Sequence, residues 1–515
     1  MAISTSLIKL VAPTLSLFLH MFSVVENMAP QRSRRGSKAA MEPPQKSVLS
    51  RLSDVMFSEY ISPQGSVGIK EYKYQATNSS LYYHHVSGPL AAWLVDQTPA
   101  WVAPNVLTLI GFVCVLWSYA LVWYWCPTFS EEAPSWVWIT VACLLFSYRT
   151  LDNMDGKQAR KLGCGSPLGL SLDHGCDAVT SCLIPAIGCA FVQTGQTFWT
   201  VIFIVSAPIA AFILTWEEFY TGVFNLGFFN GVDEGGIITD VIFLTGGLVG
   251  KARLTAFMHQ VVVPQYGLEM RHVWVLGLVL LAAVSAGPAV VTVVRTEKWK
   301  KAMFNEFSES VEQVQRNAAL VSDDDGSPKG DTAKPWSARH YRGRRPRVRD
   351  AFGAILPVIL GAVLWICSVY FPFKQSGLLL EHLRTVLWLA VMLFSKLITH
   401  LHVAHVCGDP YYQWRKTYLV PVLLISLNSL YSDYISSEGS TIVDEIGLLS
   451  ACTALATISW MHMAYSVVTG MCRVLDIPFW TVPERCLKPA VAVGGKPKRR
   501  TRSVPKRRIG TKKLD

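Results

Sequence analysis

Charge is what this sequence has little of. Only 16% of its 515 residues are Asp, Glu, Lys or Arg, against 51% hydrophobic, and the mean hydropathy is +0.31. A soluble globular domain carries about 25% charged residues, so this balance excludes an ordinary soluble enzyme and points to a membrane-embedded chain. The 12 cysteines include no C-x-x-C pair and are scattered among apolar runs, which argues against a disulfide framework and a cysteine-bound zinc site. Cys164 and Cys176 are accordingly read as packing residues. A Walker-type phosphate loop, a G-x-S-x-G turn and an internal repeat are also missing.

What is present is a series of apolar runs, each near the roughly 20 residues that a bilayer crossing requires. They lie at 106-125, 136-151, 169-193, 198-216, 236-250, 273-294, 352-371, 385-405, 418-432 and 446-469. The expectation is an all-α integral membrane protein of about ten transmembrane helices, the fifth being short and glycine-rich. Basic residues sort the connections: "GKQARK", "TEKWKK" through "RGRRPRVR", "YYQWRK" and the C-terminal tail are placed on the cytosolic side. The segments "CPTFSEEAPS" and "SDYISSEGS", without Lys or Arg, fall on the other. Lys251, Arg253 and Arg271 run against this pattern.

Five regions follow. They are an extension over 1-68, partly disordered; a catalytic half over 69-298 holding spans one to six; a basic cytosolic loop over 299-350; a C-terminal helical half over 351-480; and a basic cytosolic tail over 481-515. The polar stretches 28-68 and 322-338 read as linkers. The apolar segment "SLIKLVAPTLSLFLHMFSVV" lacks a basic n-region, which favours a peripheral anchor, or an extension ahead of a start at Met28 or Met41, over a cleaved signal. Residues 485-515 hold twelve basic residues against Asp515 alone, a charge suited to an anionic lipid surface rather than to nucleic acid. The closing Lys512-Lys513-Leu514-Asp515 resembles a dilysine retrieval signal of endoplasmic-reticulum proteins. The sequon at Asn78 falls on the cytosolic side and is expected to stay unmodified.

Against this apolar background stands "LDNMDGKQARKLGCGSPLGLSLDHGCD", residues 151-177. Asp152 and Asp155 are three apart and Asp173 and Asp177 four apart, so each pair shares a helical face. The connection between the pairs, with Gly163, Gly165, Pro167 and Gly169, lets the faces meet. Four carboxylates converging at a membrane edge repel one another unless cations lie among them, and oxygen-only donors suit Mg2+ or Mn2+. The competing readings are acids paired in water with Lys157, Arg160 and Lys161, and a cation pathway. Spans five to ten carry no matching relay to the far side, and EF-hand spacing is absent.

The pattern D-x-x-D-G-x-x-A-R-x8-G-x3-D-x3-D is met at Asp152, Asp155, Gly156, Ala159, Arg160, Gly169, Asp173 and Asp177. It resembles the signature of the CDP-alcohol phosphatidyltransferase family. "WVAPNVLTLIGF", "TWEEFYTG", "LITHLHVAH" and "MCRVLDIPFW" further resemble its eukaryotic choline/ethanolamine phosphotransferase branch, over about residues 70-480. Asn153, Met154 and "FNGVDEG" depart from that branch and leave the head group open, as inositol- and glycerophosphate-using members also exist in the family.

The resemblance implies transfer of phosphocholine or phosphoethanolamine from CDP-choline or CDP-ethanolamine to diacylglycerol, releasing CMP. It implies two Mg2+ or Mn2+ ions held by Asp152, Asp155, Asp173 and Asp177, nucleotide packing on Gly156, Ala159 and Gly169, and Arg160 pairing with phosphate. It also implies a homodimer whose lipid acceptor enters from the bilayer; the basic connections place the site toward the cytosol, and the dilysine-like tail points to the endoplasmic reticulum or a neighbouring endomembrane such as the Golgi. For the base, His174 is favoured over Asp177, because a carboxylate committed to metal is a poor proton acceptor. Asn105 is read either as a residue near the diphosphate or as a helix N-cap. Trp216, Glu217 and Tyr220, within "WEEFY", are candidates to hold an ammonium head group. His400, His402 and His405 offer nitrogen ligands suited to zinc, and helix packing is the reading taken.

Overall fold

The computed structural model describes residues 60–319, 348–370, 378–431 and 441–487. The apolar N-terminal segment, the linker over 322-338, most of the stretch 28-68 and all but the start of the basic tail lie outside the described residues.

The described residues begin with α1 (Pro63–Glu71), β1 (Ala76–Asn78), a short π-helix over Tyr83–Ser87 and α2 (Gly88–Gln97). Then come α3 (Pro104–Trp125), α4 (Ser135–Leu162), α5 (Pro167–Phe191) and α6 (Phe198–Thr221). After β2 (Phe224–Leu226) follow α7 (Glu234–Val249), α8 (Lys251–Met258), the small hairpin β3 (Val261–Val263) and β4 (Leu268–Glu269), and the long α9 (Met270–Ala319). The second half holds α10 (Val348–Tyr370), α11 (Leu378–Cys407), α12 (Lys416–Leu430), α13 (Glu445–Leu475) and the short α14 (Glu484–Leu487).

A helix stands at each of the ten expected spans. Among the described residues, six of them, α3, α5, α6, α9, α11 and α13, are long and apolar enough to cross a membrane by length and composition, so the count of ten is approximate. α4 carries Arg149, Asp152, Asp155, Lys157, Arg160 and Lys161 in its second half, and α7 has only 16 residues. α11 is the central helix, 89% of its apolar window buried, whereas that of α9 is 17% buried and faces outward.

The glycines of α7 allow it to pack closely on α4. A Cβ on Gly247 would lie 2.6 Å from Ile139 Cγ1 and 2.9 Å from the Ser135 carbonyl oxygen, so α7 packs on α4 backbone to backbone. A buried ion pair locks the same contact, Arg149 Nε and Nη2 donating to Asp240 at 3.0 and 2.6 Å. Gly247→Leu is therefore expected to destabilise the fold by about 1–3 kcal/mol through overpacking. A lower midpoint of thermal unfolding in detergent checks it, and an unchanged midpoint would mean that this contact is loose.

Two boundaries differ from the sequence reading. The end of the 1-68 extension is ordered: α1 docks on α11 and α13, with Ile61 and Ile69 buried and Ser62 Oγ donating to Asp409 Oδ1 at 3.0 Å. Gly68, which reads as linker composition, serves close approach, because a Cβ there would fall 2.0 Å from the Cys407 carbonyl oxygen. The second difference is α9, which continues to Ala319 through the start of the segment read as a basic loop. At the sequon, Asn78 Nδ2 donates to Asp233 Oδ2 at 3.0 Å, and β1 pairs in parallel with β2.

Candidate active site

α4 stops because Gly163 adopts the left-handed region at φ 65°, which glycine accepts without strain. α5 starts at once, with Pro167 in its first turn and the Ser166 hydroxyl accepting the Gly169 N–H at 3.3 Å. The short turn does not lay these two helices against each other. Each packs instead on α3, and only side chains bridge the space between them.

Asp152 of α4 and Asp173 and Asp177 of α5 meet there, each offering an oxygen within 4.8 Å of the others. Asp173 Oδ1 is buried without a hydrogen-bond partner among the described residues. Asp177 Oδ1 accepts the Tyr148 hydroxyl at 2.7 Å, and that hydroxyl also meets Thr180 Oγ1 at 3.0 Å. Asp155 stands apart from the trio, its Oδ2 accepting the Thr108 hydroxyl of α3. Like charges this close, with one oxygen orphaned, fit a divalent cation, and an all-oxygen donor set favours a hard one.

Beside the acids lies a second polar cluster, which joins three helices. His174 Nδ1 is 3.0 Å from His402 Nδ1 of α11, and Glu218 of α6 places Oε2 3.8 and 3.7 Å from those two nitrogens. His405 Nε2 is 3.8 Å from Glu218 Oε1, toward which the Tyr72 hydroxyl also points at 3.5 Å. Burial pushes the Tyr72 phenol well above its ordinary range, and the neighbouring Glu218 adds to the shift, so Tyr72 stays a donor. Tyr74 and Phe224 place their rings 6.3 and 5.3 Å from the His174 ring.

The sequence pattern does not single out Glu218. The carboxylate chosen there, Glu217, turns the other way and accepts from Asn225 Nδ2 at 3.0 Å. Trp216 is fully buried against Phe352 and Tyr220, and Tyr220 also packs on Phe219. The signal that could have separated the two glutamates is helical phase: Glu218 is the one on the α6 face turned to α11.

The remaining sequence candidates lie near the ends of α4, α5 and α3 that the turn joins or neighbours. Arg160 is exposed and folds back over Gly156, where a Cβ would meet Nη1 at 3.4 Å. Ala159 lies in the last turn of α4, its carbonyl accepting the Cys164 N–H at 2.9 Å. Gly169 faces Asn105, whose Oδ1 lies 3.3 Å from where a Cβ would stand. Asn105 is not the N-cap of α3, a place taken by Ala103; its Nδ2 donates to the Phe479 carbonyl at 2.9 Å. An apolar cavity bounded by Phe112, Leu172, Gly175, Cys176, Met463 and Val467 opens on the opposite face of α5 and is separate from the acids.

Many of these residues, including the four aspartates, His174 and Glu218, fall within one known domain. The family model for CDP-alcohol phosphatidyltransferase matches residues 101–229. The chain carries a CDP-alcohol phosphatidyltransferase domain. It is similar to an uncharacterized class-I protein of that family, number 3, from Dictyostelium discoideum, at 25% identity over 437 residues, covering 82% of this chain and 99% of that one. It is also similar to Cholinephosphotransferase 1 of Saccharomyces cerevisiae, 33% identical over 192 residues, covering 37% of this chain and 49% of the relative. Ethanolaminephosphotransferase 1 of Homo sapiens is 32% identical over 203 residues, covering 37% and 50%. For most of the curated relatives it matches, the chain spans about half the length. The domain covers the acids, His174 and Glu218, while His402 and His405 come from outside it.

Proposed function

We propose that this protein transfers phosphocholine or phosphoethanolamine from a CDP-alcohol to diacylglycerol, releasing CMP and a phospholipid. The observation that carries the reading is the meeting of Asp152, Asp173 and Asp177 at one end of a membrane bundle, one buried oxygen orphaned, beside a mostly buried histidine. Asp152, Asp173 and Asp177, with Asp155 one turn along α4, would hold two Mg2+ or Mn2+ ions. When bound, these supply charge neutralisation on a diphosphate, the main requirement of in-line phosphoryl transfer. Arg160, above Gly156 at the open end, pairs with phosphate, and Gly156, Ala159 and Gly169 leave room for the nucleotide to lie on the helices.

His174 serves as the base. With its Nδ1–H donated to His402, Nε2 keeps the lone pair that accepts the acceptor hydroxyl proton. The hydroxyl oxygen forms a bond to the phosphorus bearing the alcohol, the bond to CMP breaks, and CMP leaves with the electron pair. Glu218 stabilises the imidazolium so formed. Asp177 suits this task less, its Oδ1 already accepting from Tyr148.

The site faces the cytosol of an endoplasmic-reticulum or related endomembrane in this reading, on the strength of the basic connections at that end. No feature of the described residues supports the homodimer that the resemblance implies.

Head-group choice is tested in membranes lacking other phosphotransferases, supplied with diacylglycerol, Mg2+ or Mn2+ and equal labelled CDP-choline and CDP-ethanolamine. Labelled phosphatidylcholine or phosphatidylethanolamine is the expected product. Product only with inositol or glycerophosphate as acceptor for a CDP-activated lipid would move the protein to another branch.

A further inference from the structure

The cluster around His174 has a geometry that its role as a base does not require. His174 Nδ1, His402 Nδ1 and Glu218 Oε2 form a triangle with sides of 3.0, 3.7 and 3.8 Å. A single point lies about 2.1 Å from all three atoms, within the roughly 2.0–2.2 Å found for zinc bound to imidazole and carboxylate. Glu218 is 1% exposed, and its Oε2 has no hydrogen-bond partner among the described residues. A buried carboxylate oxygen in that state is stabilised by a cation.

We propose that His174, His402 and Glu218 form a zinc-type inhibitory site, distinct from the acidic site and set against it in metal preference. Two imidazoles and one carboxylate favour Zn2+ over Mg2+, whereas the all-oxygen set of Asp152, Asp173 and Asp177 suits hard cations. His405 and Tyr72 support the outer side of Glu218 through Oε1, the kind of second contact that fixes a ligand carboxylate. Occupation blocks catalysis by simple tautomer chemistry. A neutral imidazole has one lone pair and one N–H, so a zinc ion on Nδ1 of His174 forces the proton onto Nε2 and leaves no nitrogen to accept one. The inhibitory half rests on His174 being the base; the binding half does not.

The test uses the full chain in nanodiscs, stripped of metal and then given limiting Zn2+ in millimolar Mg2+. Zinc per chain and the zinc X-ray absorption spectrum are recorded for the native protein, His402→Gln and Asp173→Asn. The expected result is about one zinc per chain that Mg2+ does not displace, with imidazole scattering, retained in Asp173→Asn and bound at least roughly tenfold more weakly in His402→Gln. Micromolar Zn2+ should also halt CMP release in the native protein. Zinc displaced by Mg2+, or lost in Asp173→Asn and kept in His402→Gln, would overturn the site. Zinc held by imidazoles in a fully active enzyme would overturn the inhibition. The native spectrum decides by itself if His402→Gln does not fold, and zinc bound by a protein with no transferase activity would count against the proposed function, not against the site.

Discussion

Asp173→Asn lowers CMP release at saturating substrates by roughly a thousandfold, the scale lost when a preorganised group facing transition-state charge is removed. The substitution is nearly isosteric, so packing on α5 is kept. It deletes one of three carboxylates whose oxygens lie within 4.8 Å of one another, and the one whose Oδ1 is buried without a partner. Two readouts must therefore separate. In chelator, the variant melts no lower than the native protein, since a like charge held out of water has been removed. In added Mg2+ or Mn2+, the native protein gains stability by mass action and the variant does not. A variant that melts early in chelator would show Asp173 to be a structural acid, and one that keeps activity and the metal-dependent shift would remove the metal site.

His174→Gln lowers kcat by about 10²–10⁴-fold, the range for loss of a positioned general base. The KM for the CDP-alcohol should change little, because the phosphate contacts assigned to the acids and Arg160 are untouched. Glutamine retains a polar group of similar reach beside His402, so a fall in kcat reads chemistry rather than packing. The informative comparison is Asp177→Asn. If His174→Gln keeps activity within tenfold while Asp177→Asn stays inactive even at metal concentrations that restore metal binding, the base is Asp177.

Much of this arrangement was legible in sequence, for a physical reason. Spacings of three and four between acids have one meaning on a helix, and Gly163, Ser166 and Pro167 are local stop and start signals that need no tertiary knowledge. The ten apolar runs were legible because a bilayer imposes length and composition together. What local pattern could not show is where helices pass one another. Asp155 bonding Thr108, and Glu218 rather than Glu217 meeting His174, depend on the placement of α3 and α6. His402 and His405 reach the site only because α11 crosses α5 and α6, far along the chain from both. Two glycines serve packing that local pattern does not show: Gly68, in a stretch read as linker, and Gly247, in the short, glycine-rich fifth span, both make close backbone contact.

The central claim is phosphoryl transfer between a CDP-alcohol and a lipid hydroxyl at the acidic cluster. It is tested most directly with the purified chain in nanodiscs containing diacylglycerol, by measuring CMP and labelled phospholipid together as Mg2+ or Mn2+ is titrated. Equal amounts of the two products, rising with the metal and absent in chelator, are the predicted result. CMP without lipid product, or neither product at any metal concentration with either donor, would contradict it.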